Sequence, residues 1–323
     1  MNTATRLTAY GAALVLVAGG AWAIGTAVGP VGDAAGTPAA SAHTESHSGT
    51  VAASSEDPAG LASAKDGYIF QPSSTTFSTG TTTPFSFKIT KSDGTALTAF
   101  DVEHDKRMHL IVVRRDLAGF QHVHPEMAPD GTWSVPLTLT QAGSYRAFAD
   151  FKPTGGDKLT LGVDLAAPGT FQPVMYRDFR VSTVDDYEVK LDGTLAPGQS
   201  SKVTLTVRKN GQDVTDLQPY LGAYGHLVAL RTGDLAYLHV HPDGTPGDGK
   251  TKAGPGITFY AEVPSSGTYR LFLDFQHEGK VRTADFTVST EGFAAPAPTA
   301  APAQPAQPAQ PAQPGHANDG HGH

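Results

Sequence analysis

The chain has 323 residues, of which 39% are hydrophobic and 17% charged, with 36 Gly, 24 Pro and a formal net charge of -8. That length suits two domains of ordinary size plus tails, and the Gly and Pro content suits turn-rich β structure. An acidic chain without a basic run argues against nucleic acid as a partner, and the absence of cysteine excludes disulfides, thiolate metal sites and cysteine catalysis.

From Leu7 to Gly32 there is no charged residue. The run is longer than the apolar core of a signal peptide and long enough for a membrane-spanning helix, which needs about 20 residues. Residues 1–32 are therefore expected to form an N-terminal hydrophobic helix, a signal-anchor. Ala21-Trp22-Ala23 resembles a small-residue cleavage site, so the alternative is a removed signal peptide and a secreted protein. Arg6 on the short side places the rest of the chain outside the cell membrane. Residues 33–65, rich in Ala, Ser, Gly and Thr, have too few large apolar side chains to offset chain entropy and read as a disordered stalk.

The centre alternates with period 2, with turn signals every ten or so residues. Phe85, Phe87 and Ile89 alternate with Ser86 and Lys88, and Trp133, Val135, Leu137 and Leu139 alternate before Gln141-Ala142-Gly143. Short, regularly spaced strands predict an all-β sandwich. An internal repeat divides this region in two. His109-Leu110-Ile111-Val112-Val113-Arg114 returns as His226-Leu227-Val228-Ala229-Leu230-Arg231. Phe120-Gln121-His122-Val123-His124-Pro125 returns as Tyr237-Leu238-His239-Val240-His241-Pro242, at the same offset of 117. Gly143-Ser144-Tyr145-Arg146 matches Gly267-Thr268-Tyr269-Arg270, and Asp150-Phe151 matches Asp274-Phe275. Asp178 to Thr183 matches Asp285 to Thr290 as the closing strand. On that alignment repeat 1 carries an insertion from Pro153 to Gln172, with room for an extra strand at Lys158 to Val163. The expected organisation is two tandem immunoglobulin-like β-sandwich domains at 66–184 and 185–291. A disordered Pro/Ala/Gln- and His-rich tail follows at 292–323.

Residues i and i+2 of a strand share a face, so His122 and His124 point the same way, as do His239 and His241. If the strand beginning at His109 pairs with the one carrying His122, His109 falls near His124. Three imidazoles in one patch suit copper or zinc. The candidate metal ligands are therefore His109, His122 and His124 in the first repeat and His226, His239 and His241 in the second. Met127 and Met108 are the nearby soft ligands, Met108 being expected to face away, and His104 is unique to the first repeat. Asp150 and Asp274 recur on a late strand, either orienting a His or finishing a strand end. The competing reading makes the histidines packing residues of a metal-free structural or adhesive surface module. His316, His321 and His323 in the tail, with His43 and His47 in the stalk, add a weaker metal-capturing signal. His277-Glu278-Gly279-Lys280 lacks the second His of a zincin helix, and no Gly-x-Ser-x-Gly elbow occurs.

At Met108 to Leu117 and Phe120 to Pro125 the chain resembles a loosely defined group of secreted or membrane-anchored bacterial proteins with duplicated immunoglobulin-like His-x-His-Pro domains. Some look like relatives of heavy-metal, copper-handling periplasmic proteins. The resemblance covers both repeats and implies extracytoplasmic copper or zinc handling, although Met-rich runs typical of Cu(I) carriers are absent. Residues and resemblance together predict a non-enzymatic metal-binding protein. Its partners would be a metal ion and a metal transporter or other membrane protein.

Overall fold

The computed structural model describes residues 58–293 apart from His239. The expected N-terminal helix, the stalk up to residue 57 and the tail from residue 294 lie outside the described residues. Among the described residues the regular elements are all β-strands, and no helix is long and apolar enough to cross a membrane.

Repeat 1 is a two-sheet sandwich. One sheet runs β1 (Ala64–Lys65), β2 (Tyr68–Pro72), β3 (Thr82–Lys91), β7 (Trp133–Thr138), β6 (Glu126–Met127). The facing sheet runs β5 (Gln121–Val123), β4 (His109–Arg114), β8 (Gly143–Phe151), β9 (Leu159–Ala167). The period-2 residues do what their pattern requires: Phe85, Phe87, Ile89, Trp133, Val135 and Leu137 point into one core with Leu110 and Val112 from the other sheet. Repeat 2 repeats the plan. Its larger sheet contains β10 (Val181–Val184), β11 (Tyr187–Asp192), β12 (Gln199–Lys209), β16 (Gly256–Val263) and β15 (Val240–Pro242), with β13 (Gln212–Asp213) beside β12. The facing sheet is β14 (His226–Arg231), β17 (Thr268–His277), β18 (Lys280–Ser289).

The topology corrects the expected alignment of the closing strands. In repeat 1 the strand beside β8 is β9, which takes the place that β18 takes beside β17. Leu159–Ala167 is therefore the closing strand of repeat 1 and not an extra strand in an insertion. The segment from Asp178 to Thr183 belongs to repeat 2, where Val181–Val184 pairs with β11 as β1 pairs with β2. The two similar segments lie side by side in repeat 2. Phe179 bridges Thr287, and the Asp178 carboxylate accepts hydrogen bonds from the backbone and hydroxyl of Ser289.

The end of the expected stalk is also built into the fold. The Arg146 guanidinium donates to the carbonyl oxygens of Gly60 and Leu61, and Gly162 N–H donates to Ala62 O. Gly162 has to lack a side chain here, because a Cβ would run into the Gly60 carbonyl. Residues 58–63 thus form a strap over β9, and Tyr237 N–H of repeat 2 donates to Ala59 O.

Strand β4 is buried along its whole length, which a half-solvated sheet does not allow. Its second face is covered by repeat 2. Ile111, Val113, Leu117 and Phe148 of repeat 1 form one apolar cluster with Val228, Leu230, Leu235 and Phe272 of repeat 2. Phe120 stacks on Phe272 at 3.9 Å between centroids, and the matching pair, Tyr237 on Phe148, lies at 5.7 Å. These contacts are reciprocal, so the repeats face each other about an approximate two-fold axis. Each such side chain contributes about 1.5–3 kcal/mol when taken out of water, so the seam couples the repeats as a core does. The connection is fastened as well: Arg114 donates to Gln172 O, Asp116 accepts from Val174 N–H, and the Arg270 guanidinium sits 3.6 Å from the centroid of Tyr176.

Candidate metal centre at the seam between the repeats

Strands β4 and β5 pair antiparallel with Leu110 opposite Val123 and Ile111 opposite His122. That register sets His109 opposite His124, on the face that Ile111 presents to repeat 2. The three imidazoles converge: His109 Nδ1 lies 3.1 Å from His122 Nε2 and 3.2 Å from His124 Nε2. One nitrogen from each ring falls within 4.8 Å of the others, and this is the group with metal-binding geometry among the described residues. Metal–nitrogen bonds of about 2.0–2.1 Å at tetrahedral angles separate ligand nitrogens by about 3.3 Å.

The outer partners of the rings decide which nitrogens carry lone pairs. His109 Nε2 faces the carbonyl oxygen of Glu103 at 3.0 Å and must donate its proton there, which leaves Nδ1 as the lone-pair nitrogen of the neutral ring. His122 Nδ1 donates to Asp274 Oδ2 at 2.7 Å, leaving Nε2 as its inner nitrogen. Two lone pairs 3.1 Å apart repel unless a cation, either a proton or a metal ion, sits between them. Burial pulls the pKa of His109 down to about 4; burial and the neighbouring His122 and His109 pull His124 down to about 3. Both are therefore neutral at physiological pH, the form that binds metal.

Repeat 2 supplies the other wall. The His226 ring lies parallel to His109 with centroids 5.4 Å apart, and 4.9 Å from His122. Burial and the neighbouring histidines push its pKa well below the ordinary value. Tyr220 stands edge-on to His124 at 6.4 Å, its hydroxyl pKa raised by burial to about 12. His104 sits 5.4 Å from His226 and 6.2 Å from His109, at the rim of a cavity of 110 Å³ that Asp150, Lys158, His226 and Tyr237 also line.

The six histidines read from the sequence thus divide. His109, His122 and His124 meet. His226 stands against the first repeat's rings instead of forming a matching patch with His241. Leu238 N–H still donates to Ala229 O of β14, and from Val240 the second repeat's chain pairs with β16, His241 opposite Tyr260, which places His241 on the exposed side. The side chain of His239 is outside the described residues. Met108 lies in the repeat 1 core as expected, and Met127 packs against the same core and supplies no thioether to the site. His277 is structural, accepting from the Tyr187 hydroxyl and donating to Asp216. The role of Asp274 across the seam was not readable from spacing. The unbroken apolar run of β4 is a signal for a second covering layer, but it does not single out Asp274.

The search of curated proteins finds no match. Among solved structures, the chain resembles the Escherichia coli adhesin FdeC at 11% identity and a TM-score of 0.24, covering 71% of this chain and 65% of that one. It resembles the Yersinia pseudotuberculosis adhesin InvE at 9% identity and a TM-score of 0.21, covering 68% and 58%. A putative membrane anchored protein from Corynebacterium diphtheriae aligns at 11% identity and a TM-score of 0.20, covering 72% and 60%. The chain spans less than two thirds of each of these proteins. The family model described as a domain of unknown function, DUF8832, matches twice, over residues 62–169 and 182–292, which is more than half of the chain, and the chain belongs to that family.

Proposed function

We propose that the protein binds a divalent late first-row ion, Cu(II) or Zn(II), through His109 Nδ1, His122 Nε2 and His124 Nε2, as a non-enzymatic metal-handling protein on the outer side of a cell membrane. The observation that carries this reading is the convergence of three imidazole nitrogens, with the tautomers of His109 and His122 supported by their outer partners, Glu103 O and Asp274. Imidazole suits both metals, and three such ligands leave a position for water or an exchanging ligand. The outer location rests on the uncharged run from Leu7 to Gly32. N-terminal sequencing of the native protein separates a retained anchor from a chain cut near Ala23.

The test is metal content and Zn(II) or Cu(II) titration of the full chain beside His122→Ala/His124→Ala. Tail histidines contribute equally to both, so the difference reports the centre. One equivalent lost in the variant supports the reading; identical stoichiometry and affinity refute it. A second reading is a metal-free structural or adhesive surface module. It is favoured by the apolar seam, which joins the repeats into one unit without any ion. Equal metal binding by the wild type and the variant would select it.

A further inference from the structure

We infer that the metal centre is the joint product of both repeats, with Asp274 of repeat 2 as the positioning residue that holds His122 of repeat 1 in its ligand orientation. This deepens the metal-binding reading and rests on it.

The two side chains are 152 positions apart and meet at 2.7 Å, with 1% of the His122 side chain and 4% of the Asp274 side chain exposed. Thr283 Oγ1 donates to the other carboxylate oxygen, so Asp274 is held from behind and presents Oδ2 to the ring. Carboxylates that accept from the far nitrogen of a ligating His set its tautomer and raise its basicity. The two-fold mate of Asp274 makes a different choice. Asp150 has the same threonine behind it, Thr160, but its second oxygen is taken by Lys158 at 3.2 Å. By strand register the counterpart of Lys158 is Val281, which brings no charge to Asp274. One carboxylate is thus spent on a lysine, and the other is left for a histidine of the opposite repeat. His226 and Tyr220, also from repeat 2, cover the remaining side of the triad. A dication held by three neutral rings leaves a net positive charge, and Asp274 is the anion in contact with a ligand. Metal occupancy and closure of the seam therefore support each other.

The test uses the full chain, Zn(II) as the titrant and Co(II) as the spectroscopic probe, with wild type, Asp274→Ala, Asp274→Asn and Asp274→Glu. Wild type is compared with His122→Ala/His124→Ala first; no difference there sinks the metal reading itself. Given a wild-type site, Asp274→Ala is expected to bind Zn(II) 10–100-fold more weakly, with Asp274→Glu recovering part of the loss. Ring ¹⁵N shifts of His122 supply a readout that a merely structural role would not move. They should report the Nδ1–H tautomer in wild type and its loss in Asp274→Ala. If the alanine variant fails to fold, the isosteric Asp274→Asn decides on the same two measurements. Affinity within twofold of wild type, or an unchanged His122 tautomer, overturns the inference.

Discussion

Removing His122 should cost the apo-protein stability even though the residue lies far in sequence from its partner. A hydrogen bond to a charged acceptor between side chains this buried contributes about 1.5–3 kcal/mol. His122→Ala also strands the Asp274 carboxylate, 3% exposed, with the Thr283 hydroxyl still donating to its other oxygen. Leaving a buried carboxylate short of one of its donors costs about 3 kcal/mol. Asp274→Ala removes the charge together with the bond and should cost less, about 2 kcal/mol. The double variant then loses less than the two singles together, with a coupling of about 2 kcal/mol. Urea unfolding in the presence of a chelator, followed by circular dichroism, measures all four corners of this cycle without interference from metal. Additivity to within about 0.5 kcal/mol would show that the two residues are energetically independent and that the cross-repeat contact does not matter.

Phe272→Ala removes one side of the closest aromatic stack in the seam and should destabilise the chain by about 3–5 kcal/mol. Wild type should unfold in one transition, and two separate transitions would show that the repeats do not support each other. Gly162→Ala should detach the strap, because the new Cβ meets Gly60 O and lies 2.7 Å from Arg146 Nε. Loss of the Arg146 bonds to the Gly60 and Leu61 carbonyls should cost about 3 kcal/mol, seen as a lower melting temperature and proteolytic cutting near residue 60. Acid should weaken the metal-free protein. His109 titrates near 4 when folded and near 6.5 when unfolded, so between those values the unfolded chain holds the extra proton. Stability is complete above about pH 6.5 and falls on acidification by about 1.4 kcal/mol per pH unit from this residue, levelling off near pH 4. His109→Asn should flatten that slope in pH-dependent urea denaturation; an unchanged slope would refute the assignment.

Much of repeat 1 could be read from residue order alone. The alternation at Phe85, Phe87 and Ile89 marked the core, and period 2 with a hairpin register placed His109, His122 and His124 on one face. Equivalence of the two repeats was the weaker inference. Matching letters at His241 did not fix its strand partner, because the Gly/Pro-rich residues that follow let the chain cross to β16. Matching letters at Asp178 to Thr183 hid the fact that the sheet position was already filled by Leu159–Ala167. Periodicity describes which side of a strand is apolar. It does not name what covers that side, so the partnership of Asp274 with His122 could come only from the packed pair.

The strap at residues 58–63 changes how the molecule would carry mechanical load. Its backbone is bonded to β9 at Thr160 and Gly162, to Arg146 of β8, and to Tyr237 of the other repeat. A pull applied at residue 58 therefore does not peel the chain away one bond at a time from a loose end. The tension divides at once between both repeats, and a tether on that side would tug on a clamped double module instead of unravelling its first domain.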